Sequence, residues 1–224
     1  LILTEKFLFK DRPNPPKDYL NKVLQHMKPL FAQDLENIRQ GYYPWTVLIA
    51  GSPAEHLKSL SRIGLDVVNV WKRKTRRESA EFGNEAQQYL KDVPKYYQRN
   101  FHFQSDGYLS ETSAQRYDHQ VEILFRGSAA TMRRMIIPPL KDALENVEHA
   151  KVVEIGCGPG SSTRWITQSL PKAQITAIDL SWPYLKQAQK NLADSPRINF
   201  IQGDGAKLPF KDAEFDAWTS VFMF

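Results

Sequence analysis

The stretch VVEIGCGPGSSTRW, residues 152–165, constrains the fold more than any other. Its apolar start reads as a buried strand. Glycines then stand at alternate positions, Gly156, Gly158 and Gly160. A chain leaving a buried parallel strand must turn sharply into the helix that follows. Glycine suits that turn because it tolerates φ > 0 and has no Cβ to hold a ligand away. A helix opening near Ser161 would offer free N–H groups at its positive end. The stretch therefore reads as a cofactor-binding turn at the carboxyl end of a strand.

From residue 151 onward the texture alternates. KVVEI, QITAID, INFIQ and FDAWTSVF read as strands, with helices over 161–170 and SWPYLKQAQKNL between them. Ser181 is the expected N-cap of the second helix, with Pro183 in its first turn. Strands alternating with helices imply right-handed βαβ units and a parallel sheet. The expected fold is α/β, a Rossmann-like parallel sheet with a helical N-terminal extension.

Upstream, apolar residues at 20, 23, 24, 27, 30, 31, 35 and 38 follow helical spacing, with a break or kink expected at Pro29. Residues 52–74 read as a second helix. SETSAQRYDHQVEILF reads as a third, capped by Ser110 or Ser113. The segment from Ser128 continues helically and is expected to break at Pro138-Pro139. The expected organisation is a helical extension over 1–92, a helical lid or linker over 93–148, and the sheet domain over 149–224.

The net charge of +5 is uneven, since residues 151–224 carry eight Lys/Arg against seven Asp/Glu. The excess lies upstream, most densely in KRKTRR (72–77), which reads first as a solvated face and second as a contact for phosphates or an anionic membrane. Arg133 and Arg134 likewise read as a solvated helix face, with an anionic acceptor as the sharper alternative. The one cysteine, Cys157, excludes an internal disulfide and Cys-pair zinc sites. The five histidines lack metal-binding spacing, so no metal is expected. No apolar run is long enough to span a membrane. The cytoplasm is the expected compartment, with plastid stroma as the alternative.

The glycine spacing is G-x-G-x-G rather than the G-x-G-x-x-G of dinucleotide sites. Glu154, two residues before the first glycine, is a poor neighbour for a pyrophosphate and a good one for a cationic ligand. Asp179 ends the second strand, 23 residues after Gly156, where an acid can accept from ribose hydroxyls. Asp204, in QGDGAKLPF after the third strand, can accept from an adenine amino group. Helix capping is the bland alternative for both acids, and turn-filling for Cys157.

VVEIGCGPG, AIDLS, GDGAKLPF and FDAW together resemble the class I S-adenosylmethionine-dependent methyltransferases, most of all the ubiquinone/menaquinone C-methyltransferase branch. The resemblance covers about residues 150–224. It implies S-adenosyl-L-methionine as cofactor, with Gly156, Cys157, Gly158 and Gly160 around the methionine part and Glu154 orienting it. It further implies Asp179 on the ribose, Leu180 beside the adenine, and Asp204 with Gly205 or Ala206 at the adenine edge. Residues 96–140 are similar to the region before the catalytic domain in bacterial, cyanobacterial and plastid methyltransferases. The family has seven strands and four are expected here, so the sequence reads as a C-terminally truncated fragment with a bare fourth strand.

Methyl transfer from a sulfonium is catalysis by positioning and exclusion of water. The expected acceptor is a small molecule, such as a quinone-like or lipophilic ring. No catalytic residue is assigned; Tyr108, Tyr117, His102 and His119 are candidates for a lid or base, against packing as the plainer role. Three alternatives remain: a methyltransferase acting on RNA, a non-catalytic cofactor-binding scaffold, and a nicotinamide-dependent oxidoreductase, against which the glycine spacing argues.

Overall fold

The computed structural model describes residues 18–49, 82–99 and 106–223. KRKTRR, the expected helix over 52–74 and His102 lie outside these residues. Helix α1 (Tyr19–Arg39) is followed by a short 3-10 turn (Trp45–Ile49), and α2 (Asn84–Gln87) by two more, Leu90–Asp92 and Lys95–Tyr97. Then come α3 (Glu111–Leu124), α4 (Ala129–Arg134) and α5 (Ile137–Ala143). The alternating part is β1 (Lys151–Ile155), α6 (Ser161–Ser169), β2 (Gln174–Asp179), α7 (Trp182–Asn191), β3 (Ile198–Gln202) and β4 (Ala217–Ser220). Among the described residues no helix is long and apolar enough to cross a membrane.

The four strands form one parallel sheet in the order β3-β2-β1-β4. β1 is central, and Val152 and Val153 are fully buried because helices cover both faces. The chain walks from β1 outward to β3 and then returns to the other side of β1 for β4. That reversal makes the carboxyl ends of β1 and β4 a topological switch point, where open α/β sheets hold ligands. The strand expected over FDAWTSVF is shorter than the apolar run suggests, and β4 leaves Trp218 exposed at the edge of the described sheet.

Local rules account for several helix ends. The Ser110 hydroxyl accepts from the Ser113 N–H at 3.1 Å, and Ser181 does the same for Tyr184 at 3.2 Å. Two proline expectations are corrected. Pro29 does not end α1, which runs unbroken from Tyr19 to Arg39. Pro138 and Pro139 do not break a helix either; they sit in the first turn of α5, where a missing N–H costs nothing. The interruption comes before them, between Arg134 and Ile137.

The upstream helices share a core with the sheet. Tyr43, Val47, Ile137 and Leu140 cluster with Val152, Trp165, Ile166 and Ile175. α1 packs on α4, α4 and α5 on α6, and α3 on α7. These contacts bring α3 and α4 to the switch point.

Candidate active site

The glycine loop hooks over the end of β2. The N–H groups of Gly156 and Cys157 both donate to the Ile178 carbonyl, at 2.8 and 2.9 Å. This path needs left-handed backbone at all three glycines, with φ of +73, +56 and +91. A Cβ at Gly160 would also lie 2.8 Å from Leu192 Cδ1 and 3.3 Å from Ala188 Cβ, so that Leu192 would have to move. Gly160→Ala should therefore cost about 2 kcal/mol of stability, from backbone strain and overpacking. Urea unfolding of the variant measures it, and an unchanged midpoint would contradict the account.

Asp179 ties this loop to α7. Its Oδ2 accepts from the Gly158 N–H and its Oδ1 from the Ser181 N–H, each at 2.8 Å. Burial pushes its carboxyl up to about 6, against the pull of these backbone donors. Asp179 lines a cleft with Gly156, Cys157, Gly158 and the start of α6, Ser161 and Ser162. The cleft is thus built from the loop after β1, the end of β2 and the chain after β4.

Aromatic rings wall it. Tyr108, Tyr117 and Tyr184 meet edge to face, with centroids 5.4–6.0 Å apart, and Tyr97 lies 5.7 Å from Tyr108. The Ser113 and Tyr184 hydroxyls share a hydrogen bond at 2.8 Å. Burial pushes the phenols of Tyr97, Tyr108 and Tyr117 upward, Tyr117 to about 12. Burial also pushes the Cys157 thiol up, so that group stays protonated and inert at neutral pH. On the far side the Met223 side chain rests on Gly156, and Phe222 stacks on Phe125 at 5.2 Å.

The structure brings together Gly156, Cys157, Gly158, Asp179, Tyr108 and Tyr117. It places the other expected residues apart from the cleft surface. Glu154 is 1 % exposed beneath the loop, where the Thr163 hydroxyl donates to its Oε2 at 2.5 Å. Burial raises its carboxyl to about 7, opposed by the Thr163 and Ser162 hydroxyls. His119 is half-buried on α3 and does not line the cleft. Leu180 packs on the cluster around Ala86, Val93 and Leu109. Asp204 accepts from the Tyr96 hydroxyl at 2.7 Å and from the Ala206 N–H at 2.9 Å, and these bonds hold its carboxyl below the usual range. Gly205 lies against Ile155, so the loop after β3 abuts the end of β1.

Arg133 and Arg134 are not a solvated face: they are 5 % and 3 % exposed. α4 lies between α1, α3 and α6, so both of its arginines point into packed surroundings. Sequence reasoning also missed the Tyr96–Asp204 pair and the Asp118–Ser161 bond of 2.5 Å. No local spacing signals contacts between residues so far apart in the chain.

Residues 152–224 match a family described as a methyltransferase domain. The chain is 33 % identical over 116 residues to the demethylmenaquinone methyltransferase of Thermotoga maritima, covering 52 % of this chain and 48 % of that protein. It is 38 % identical over 96 residues to the malonyl-[acyl-carrier protein] O-methyltransferase of Halalkalibacterium halodurans, covering 43 % of this chain and 34 % of that protein. Among solved structures it overlaps the plantazolicin methyltransferase BpumL in complex with SAH, with 20 % identity and a TM-score of 0.36 over 49 % of this chain and 44 % of that one. The chain spans about half or less of the length of these relatives. Family match, parallel sheet order and glycine loop agree in making residues 152–224 similar to a methyltransferase domain.

Proposed function

We propose that the cleft at the β1–β4 switch point binds S-adenosylmethionine and passes its methyl group to a small-molecule acceptor. One observation carries this reading. Asp179, buried at the end of β2, holds the glycine loop open through Gly158 and still has lone pairs to accept from ribose hydroxyls. A Cβ at Gly158 would meet only the Tyr117 ring, at 3.9 Å, across the cleft where a ligand would approach the loop. The glycines then surround the methionine portion, with Glu154 oriented beneath them. Leu180 and the Asp204–Ala206 turn lie outside the cleft lining, and the adenine would have to extend past the end of β2 to reach them.

When bound, S-adenosylmethionine supplies an activated methyl on a good leaving group. The chain has to align the acceptor in line with it and exclude water. The tyrosine wall suits both tasks. Its phenols are held protonated by burial, so Tyr108 and Tyr117 act as walls and hydrogen-bond donors, not as bases. The acceptor should accordingly arrive already nucleophilic or ionised. One relative is named for demethylmenaquinone, which supports a small acceptor, and another for malonyl-[acyl-carrier protein], an acyl group borne by a protein.

Calorimetric titration with S-adenosylmethionine and S-adenosylhomocysteine tests the reading. Both should bind, and Asp179→Ala should weaken binding about 10-fold or more, the worth of a hydrogen bond to a charged group. A chain folded by circular dichroism that binds neither would overturn it.

A further inference from the structure

We propose that a groove at the amino ends of β1 and β2 is a second ligand site, which takes a protonated amine carried on an apolar or aromatic body. It lies at the opposite end of the sheet from the cleft, so the inference stands apart from the methyltransferase reading. The groove offers about 540 Å³, against about 90 Å³ for the cleft. That is room for a small molecule of ordinary size. Its apolar lining includes Leu144 and Ala150, on the chain leading into β1, and Leu170 and Ala173, on the chain leading into β2.

The cations at this end of the fold are already engaged. Lys141 Nζ donates to the Gly41 and Tyr42 carbonyls, at 3.0 and 3.2 Å. Arg197 donates to the carbonyls of Thr167, Leu170 and Ala173. Lys172 pairs with Glu148 at 3.1 Å. Two carboxylates on the groove are left without a cation. Asp142 accepts the Tyr42 hydroxyl, at 3.0 and 3.2 Å to its two oxygens, and Glu145 has no side-chain partner among the described residues. The bond to Asp142 pushes the Tyr42 phenol up, with burial and the charge of Glu145 adding to it. An ammonium beside these two acids would supply the missing counter-charge through charge-assisted hydrogen bonds.

Ser169 is an independent sign of a ligand. It ends α6, lines the groove and is 6 % exposed. Its hydroxyl is buried with no hydrogen-bond partner among the described residues. Thr167, on the same helix, spends its hydroxyl on the Thr163 carbonyl one turn back, and Ser169 makes no such bond. A buried hydroxyl left unsatisfied is costly and uncommon. A polar atom on the ligand body would take it up. Two uncompensated carboxylates, an unpaired hydroxyl and an apolar lining together favour a cationic amphiphile over an anion.

The test is an NMR titration of the isotopically labelled protein with three probes. They are tyramine, phenethylamine, which lacks the ring hydroxyl, and 4-hydroxyphenylacetate, which carries the opposite charge. Tyramine should bind most tightly and the carboxylate least, with shifts centred on Leu144, Ala150 and Ala173. Glu145→Gln should weaken tyramine about 5-fold, and adding Asp142→Asn should abolish the preference for the amine over the carboxylate. Both acids are exposed, so these changes leave the core intact. Ser169→Ala should raise the thermal midpoint of the free protein and remove the advantage of tyramine over phenethylamine. Excess S-adenosylhomocysteine should leave tyramine binding unchanged; displacement would place the amine in the cleft and overturn the proposal. So would a carboxylate that binds as tightly as tyramine, a preference that survives in the double variant, or no binding of any probe up to about 10 mM.

Discussion

Asp34→Ala should destabilise the protein by about 3–5 kcal/mol, the cost of breaking a buried ion pair from one side. Asp34, 2 % exposed on α1, accepts from Arg134 Nε at 3.0 Å and Nη2 at 2.5 Å. The Tyr43 hydroxyl donates to it at 2.6 Å and the Thr131 hydroxyl at 3.4 Å. Removing the carboxylate strands a guanidinium that is 3 % exposed and leaves two hydroxyls without an acceptor. The pair joins α1 to α4, and the Trp165 ring joins α4 to α6, so the loss reaches the support of the glycine loop. A thermal midpoint lower by about 10 °C is expected for a chain of this size. Replacing both partners by apolar residues, as in Asp34→Leu with Arg134→Met, should recover much of the loss, because desolvation of two charges is then avoided. A single variant that unfolds within about 1 kcal/mol of wild type would show that α1 is not anchored here.

Glu154→Gln should act in the opposite direction, and only at high pH. Burial raises the Glu154 carboxyl from 4.5 to about 7 and that of Asp179 from 3.8 to about 6. In the folded chain these groups keep protons that the unfolded chain has already released. The unfolded state thus binds fewer protons between about pH 4 and pH 7, and stability falls as pH rises through that window. Above about 7 the cost of holding Glu154 ionised is complete, on the order of 3 kcal/mol. Glutamine removes that ionisation and can still accept from Thr163. Wild type and variant should match near pH 4 and diverge by pH 8, with the variant the more stable. Denaturant unfolding across pH 4–8 measures this, and parallel curves would refute it. If the cleft takes S-adenosylmethionine, the same substitution should also weaken its binding, since a cationic ligand gains from the ionised acid. A residue kept against stability in this way would be serving a ligand.

Glycine and capping chemistry made much of the glycine-loop end of the cleft legible in advance. Three glycines on alternate positions leave few paths out of β1, and all three adopt positive φ. Ser110 and Ser181 cap their helices because their hydroxyls lie within three residues of the N–H groups they accept from. Asp179 was legible because the end of a second parallel strand always falls beside the turn after the first. The prolines were misread for a related reason. Pro138 and Pro139 read as breakers from sequence, yet a helix start accommodates them.

The two adjacent arginines show where such reading stops. Nothing within several residues of Arg133 and Arg134 distinguishes them from a solvated pair. Their fates are set by Asp34, a hundred residues earlier, and by Asp118 and α6 packed around them. Tyr96 and Asp204 meet across 108 residues in the same way. The sequence by itself determined the order of strands and helices from 151 onward, the glycine turn and the acid at the end of β2. These depend on backbone freedom and on donors a few residues apart. The tertiary structure alone decided that β4 returns beside β1, that tyrosines from α3 and α7 converge into one wall, and that one arginine is paired with Asp34 inside the fold while its neighbour lines the cleft beside Asp118. Burial and charge pairing depend on what lies across a contact, and only packing supplies that.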